Sequence, residues 1–401
     1  MLNHSQLKGR CMNIIEVLEP WLADAISLRH AIHKQPELGF EENNTQALVV
    51  AELEKYGVDE ICTDFAKTGV VGVIHGSLGD GKSIGLRADM DALPIHEANT
   101  FAHRSCHDGK MHACGHDGHT TMLLLAARYL AQSRNFAGKA VLIFQPAEEG
   151  RGGAETMITD GVLERFPIDE CYALHNMPGI PEGHFAFKTG PIMASSDRLF
   201  VTVDGKSGHA GLPHTTQDPL LVATHIYQGI QGMVSRNYDP FDPLVVSVTQ
   251  LHCGETTNAI ADQAHMSGTF RTLSQQTRDS LVERLEQLVA HSAKAHGMQA
   301  EFKLGPISHP PTVNTENETR RAIDAAAQTV GAERVNPSCE AMLTSEDFAF
   351  FLNKVPGCYG FIGNGTEEQG CSVGLHNKAY DFNDRLLPIG AAYFINLIEQ
   401  Q

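Results

Sequence analysis

No apolar run in this 401-residue chain approaches the ~20 residues that a membrane-spanning helix needs. The stretch Met1 to Arg10 is polar and lacks the apolar core of a secretory signal. A cleaner helical pattern begins at Met12, so the first eleven residues are expected to be dispensable. Basic residues are scarce: 30 Lys and Arg face 48 Asp and Glu, a formal net charge of −18. That balance argues against a nucleic-acid or anionic-membrane partner and for a soluble protein. The nine cysteines are odd in number and carry no pairing signal. This suits a reducing compartment, and the chain is read as cytoplasmic. Internal repeats and low-complexity tracts are also missing. The length allows two domains with proper cores.

What the chain does have is a concentration of metal-binding chemistry. Lys110 to Thr120 packs three histidines, one cysteine and one aspartate into eleven residues, just before the apolar run Met122 to Ala127. Imidazole and thiolate are ligands that borderline-soft divalent metals prefer. Gly115 and Gly118 are expected to let the backbone turn sharply so that the side chains converge. A zinc finger is excluded because Cys106 and Cys114 are too far apart for a paired Cys-x-x-Cys element. A His-Glu-x-x-His helix is excluded because Ala113 stands where the Glu would be, and Gly115 interrupts the turn.

Apolar positions Ile14, Val17, Leu18, Trp21, Ala25, Leu28 and Ile32 predict a helix over 13–35, ending at Pro36. A second helix is predicted from Thr45 to Tyr56. Strands then alternate with helices: strands at 69–75, 83–89, 140–145 and 171–175, helices at 119–132 and 154–163. This is the pattern of an α/β layer with a mixed, mostly parallel sheet flanked by helices. Working residues in such sheets sit at the carboxyl ends of strands. Here those ends deliver Ala88-Asp89-Met90-Asp91, then Gln145-Pro146-Ala147-Glu148-Glu149-Gly150, then His175-Asn176. From about Met193 the order becomes βαββαβ, that of a ferredoxin-like unit, here read as an insertion. The expected domains are 1–190, the inserted 191–307, and 308–401 as the return of the first. After a last strand at 358–362, the loop Leu375 to Asn383 offers one more histidine, His376.

One cysteine, several histidines and a carboxylate can hold two divalent ions if one ligand bridges. Two ions about 3.5–4 Å apart would acidify a water and polarise a carbonyl together. A non-ligating carboxylate would then serve as general base and acid. Of Glu148 and Glu149, one is expected to ligate and the other to face the water; the residues alone leave open which does which. Asp89 is expected behind the ligands, hydrogen-bonded to a ligand imidazole.

The segments Arg87-Ala88-Asp89-Met90-Asp91-Ala92-Leu93-Pro94, Met111 to His119, Gln145 to Gly150 and Leu174-His175-Asn176 resemble the M20 metallopeptidases. More narrowly they resemble the amidohydrolase branch that includes hippurate hydrolases, N-acyl-amino-acid amidohydrolases and auxin-conjugate hydrolases. The similarity extends to Gly205 to Ala210 and Ser345 to Phe348, so it spans nearly the whole chain. It implies that Cys114 bridges two ions, where many relatives carry an aspartate. Glu149 and His376 would complete one shell, and His116 and His175 the other. Glu148 would be the general base and acid. His119 matches a recurrent position without a ligand role. The inserted domain would be a lid and a dimer contact, giving a homodimer or higher homo-oligomer. His209 would reach a substrate oxygen, in its own or a neighbouring subunit's site. Asn258 and Arg271 would lie near the substrate carboxylate, although Ala261 departs from the commoner Asn-x-Ile-Pro pattern.

The expected activity is cleavage of N-acyl amino acids, hippurate-like ones included, to a carboxylic acid and a free amino acid. Two divalent ions are expected, zinc suiting the ligands best and manganese, nickel or cobalt being alternatives. The competing readings are a metallo-dipeptidase and a non-catalytic small-molecule-binding protein on the same fold. Against the latter, every expected catalytic position is filled. A cysteine hydrolase using Cys114 and His116 fits poorly, because a metal-bound thiolate is a blunted nucleophile.

Overall fold

The structure, a computed structural model, describes residues 13–369 and 373–400. The amino-terminal stretch read as dispensable lies outside them. The chain divides into two compact units. One comprises the described parts of Met1–Gly190, Asn314–Cys339 and Phe350–Gln401, and the other Pro191–Val313 with Glu340–Ala349. The second unit thus runs a few residues past the expected 307 and takes in a short later segment.

The first unit is built on an eight-stranded sheet. In spatial order its strands are Glu60–Cys62, Val70–His75, Lys139–Gln145, Ser83–Asp89, Glu170–Pro178, Gly357–Gly365, Phe185–Ala186 and Val335–Asn336. The four central strands run parallel. They are buried almost throughout, which is why they read as continuous apolar runs. Val70–His75 joins the sheet antiparallel to Lys139–Gln145. The chain passes from Ser83–Asp89 to a neighbour on one side, Lys139–Gln145, and next to a neighbour on the other, Glu170–Pro178. Such a reversal opens a crevice at the carboxyl ends of the strands. Asp89 pairs with Gln145 in register, and His175 with Phe361, so the loops that leave these strands emerge along one edge.

The predicted helices are present with shifted ends. Pro20 interrupts the first one, which becomes Ile14–Leu18, a 3-10 turn at Glu19–Trp21, and Leu22–Lys34. The second starts earlier than predicted, at Asn43. The helix expected at 154–163 breaks at Gly161 into Gly153–Thr159 and Val162–Arg165. The helix His116–Ser133 begins three residues before the predicted start, so His116, Asp117 and His119 all belong to its first turns. It is buried on nearly every face and packs against Leu387–Glu399.

The second unit carries a four-stranded antiparallel sheet in the order Leu244–Cys253, Gln263–Thr272, Asp197–Asp204, Gln299–Leu304. Helices Pro219–Asn237 and Gln275–Ala295 complete the βαββαβ order expected from the sequence. Asp218 and Ser274 cap them through side-chain bonds to backbone N–H groups. Among the described residues no helix is long and apolar enough to cross a membrane. The seven described cysteines are all free.

Candidate metal centre

The site assembles at the crevice of the first unit. Gly115 precedes the helix His116–Ser133 with φ +98°, a left-handed conformation that glycine adopts without steric cost. A Cβ there would also lie 2.2 Å from Asn176 Oδ1. Gly118, expected to help the chain turn, lies inside the helix instead. Its lack of a side chain admits the Phe382 ring, whose atoms stand 2.4 Å from where a Cβ would be. The turn after Lys139–Gln145 needs Ala147 at φ +57° to deliver Glu148 and Glu149 in succession. His376 also has positive φ, +61°, and its N–H is fixed on Ala113 O at 2.8 Å. Two non-glycine residues in the left-handed region at one site indicate strain held by their surroundings.

Side chains of the expected ligands converge. Cys114, His116 and His175 form one group whose donor atoms lie within 4.8 Å of one another, and Cys114, Glu149 and His376 form a second. Cys114 belongs to both. Its Sγ is 3.4 Å from His175 Nε2, and His376 Nε2 is 3.1 Å from Glu149 Oε1. Glu148 joins Glu149 and His116 in a third group. Cys114, His116, His175 and Glu148 are buried, whereas His376 is exposed.

Fit to a metal can be judged from the donors themselves. His116 Nε2 is buried and has no hydrogen-bond partner. An orphaned buried polar atom in a cluster of sulfur, nitrogen and oxygen donors suits a divalent ion. Burial keeps His175 well below the ordinary imidazole range and therefore neutral, as a ligand must be. Its Nδ1 donates to Asn176 O at 2.7 Å, which leaves Nε2 facing Cys114. Burial, reinforced by Glu149, Glu148 and Asp89, pushes the Cys114 thiol well above its usual range. Burial opposes a charge on His116, yet Asp89 and Asp91 hold it up to about 10.

The layer behind the ligands differs from expectation at Asp89. Its short hydrogen bond, 2.6 Å, goes to His119 Nδ1, while His116 Nε2 is 3.8 Å away. Arg87 donates to Asp89 at 2.7 Å. Burial disfavours the Asp89 charge, but His116, His119 and Arg87 hold its carboxyl well below the usual range. His119 in turn accepts from the Asn176 N–H at 3.1 Å, and Asn176 also bonds the Tyr380 hydroxyl. The carboxylate that orients His116 is Asp91, 3.2 Å from its Nδ1. Asp91 further accepts the N–H groups of Glu148 at 3.1 Å and Glu149 at 3.0 Å. The sequence assigns Asp91 no role, although its place two residues beyond Asp89 at the same strand end is a signal for one. Tyr380 carried no signal.

His209, Asn258 and Arg271 belong to the second unit. His209 is exposed on a two-residue strand, Gly208–His209, paired with Ala259–Ile260, and Asn258 O accepts from Ala210 N. Arg271, half-buried near the end of Gln263–Thr272, donates to Phe270 O at 2.9 Å.

Comparison with known proteins identifies the family. The profile of peptidase family M20/M25/M40 matches residues 85–400. A hippurate hydrolase of Campylobacter jejuni is 39% identical over 386 residues, covering 96% of this chain and 98% of that protein. A thermostable carboxypeptidase of Saccharolobus solfataricus is 37% identical over 388 residues, covering 96% of each. The crystal structure of a dinuclear metal-binding M20 peptidase from Bacillus subtilis superposes with a TM-score of 0.82 at 33% identity, over 95% of this chain and 98% of that one. The chain belongs to peptidase family M20 and is a hydrolase of its amidohydrolase branch.

Proposed function

We propose that this enzyme cleaves the amide bond of N-acyl amino acids, hippurate-like ones among them, using two divalent ions held by its own side chains. The observation that carries the reading is the pair of ligand groups that share Cys114, with Glu148 beside them. His116 and His175 would hold one ion, Glu149 and His376 the other, and Cys114 both. Zinc suits this donor set best, with manganese, nickel or cobalt as alternatives. When bound, the ions supply Lewis acidity toward water and the substrate carbonyl. The remaining work belongs to the chain. Glu148 takes the proton of the attacking water on a carboxylate oxygen and returns it to the departing amide nitrogen. Asp91, by accepting the N–H groups of Glu148 and Glu149, holds the backbone that carries both carboxylates before substrate arrives. Asp89 steadies His175 through His119 and the Asn176 backbone. His209, Asn258 and Arg271 offer an imidazole, an amide and a guanidinium suited to a substrate carbonyl and carboxylate. Exposed Val245 and Leu251 on the edge strand Leu244–Cys253 support self-association through the second unit.

The test is amine release from benzoyl- and acetyl-amino acids and from dipeptides, after chelator stripping and reloading with single metals. Cleavage of the acyl amino acids supports the reading. Cleavage of dipeptides alone would move the enzyme to the peptidases, a reading favoured by the carboxypeptidase relative.

A further inference from the structure

The turn that delivers Glu148 and Glu149 is held from below by a carboxylate with no part in the reaction. Glu42 occupies the cap position of the helix Asn43–Tyr56, yet its side chain caps nothing there. Glu37 does that work, accepting from Asn44 N at 3.0 Å and Thr45 N at 2.9 Å. Glu42 is thereby free to point at the other side of the crevice floor. One of its oxygens accepts the Ala147 N–H at 2.9 Å, and the other accepts the Thr68 hydroxyl at 2.6 Å. It is fully buried. Gly39, just upstream, lies so close that a Cβ would sit 2.9 Å from Ala147 Cα.

Three successive N–H groups are therefore gripped by two buried acids: Ala147 by Glu42, and Glu148 and Glu149 by Asp91. The grip matters because Ala147 stands at φ +57°, where an alanine is strained and relaxes unless held. We propose that Glu42 is a positioning residue that holds Ala147 in the left-handed conformation and so aims Glu148 and Glu149. Burial, with Asp91 adding to it, pushes the Glu42 carboxyl up to about 7. A protein that keeps an acid in so costly a place gains something from it there. The inference rests on the reading of Glu148 as base and Glu149 as ligand.

The test compares Glu42→Leu, Glu42→Gln, Ala147→Gly and the double variant Glu42→Leu/Ala147→Gly in the full chain. Two quantities are read: kcat on the acyl-amino-acid substrate, and cobalt affinity of the stripped protein followed by thiolate-to-cobalt absorption. Glu42→Leu loses both bonds, and kcat and cobalt affinity are expected to fall about 10- to 100-fold. Glycine adopts positive φ without strain, so adding Ala147→Gly restores most of the loss. Glu42→Gln, which can still accept from Ala147 and bond Thr68, behaves as wild type. Should Glu42→Leu fail to fold, Thr68→Val, which frees the carboxylate to swing, shows a smaller loss in the same direction. Wild-type kcat and affinity in Glu42→Leu, a loss that Ala147→Gly leaves untouched, or an unaffected Thr68→Val where Glu42→Leu does not fold would each overturn the proposal. If the wild type turns over nothing while cobalt affinity falls and recovers as described, the positioning role stands and the base reading falls.

Discussion

Cys114 and His116, two of the proposed metal ligands, both carry protons in the site as folded, and that would govern metal uptake. The thiol lies well above its ordinary range, and His116 titrates at about 10. A ligand must be deprotonated, so each gives up a proton on binding, whereas His175 has none to lose. Zinc titration of stripped protein in dilute buffer is therefore expected to release protons, with affinity falling as pH is lowered from 8 to 6. Affinity independent of pH would contradict this. Asp91 makes a second prediction at the same scale. Asp91→Asn keeps the volume but removes the carboxylate shared by His116, Glu148 and Glu149. Activity should fall about 10- to 100-fold, with the melting temperature of the metal-free protein much less affected. An unchanged kcat would show that these three groups are held by other means.

Two elements meet at the start of the helix His116–Ser133. Phe382, on the chain beyond His376, seats its ring where Gly118 has no side chain. Gly118→Ala overpacks this seat, at a cost of about 1–3 kcal/mol, and should weaken the ion held through His376 together with stability. A melting curve and a metal titration check both parts. On the other side Arg29 and His33, from the helix Leu22–Lys34, both bond Asp117. Burial works against the His33 charge, but Asp117 and Glu97 hold its pKa up to about 9. Because that value is raised, its stabilisation is complete below about 6.5, the ordinary value, and disappears as pH climbs through 9. The melting temperature should drop between pH 7 and 10, and drop less in His33→Gln. Elements were legible in the sequence where their cause is local. The strands ending at Asp89, Gln145 and His175 show as apolar runs, and the βαββαβ order shows in the changing period. Asp91 accepts from residues 57 and 58 positions away, Glu42 from one 105 away, and Arg29 reaches across 88. Only the folded sheet brings such partners together, so the layer behind the ligands stayed hidden. The short strands Phe185–Ala186 and Val335–Asn336 were missed for the same reason: pairing with neighbours defines them, and two residues carry no period.

All five proposed metal ligands belong to the first of the two units. Each unit has its own apolar core, one around the large sheet and one between the smaller sheet and its two helices. Calorimetry of the whole chain should therefore respond unevenly to metal. Ligand at a hundred times its Kd stabilises by about 2.7 kcal/mol, which raises a domain's melting temperature by roughly 5–10 °C. That shift is expected in the first unit's transition, with the second unit's transition staying in place. An equal shift of both would mean that the units melt as one. The most direct measurement of the account is made on Glu148→Gln: bound metal per chain beside amine release from benzoyl-glycine. The account predicts two ions per chain, as in the wild type, and turnover lost by several orders of magnitude. Turnover near wild type with both ions bound would contradict it, because the proton would then be moved by some other group.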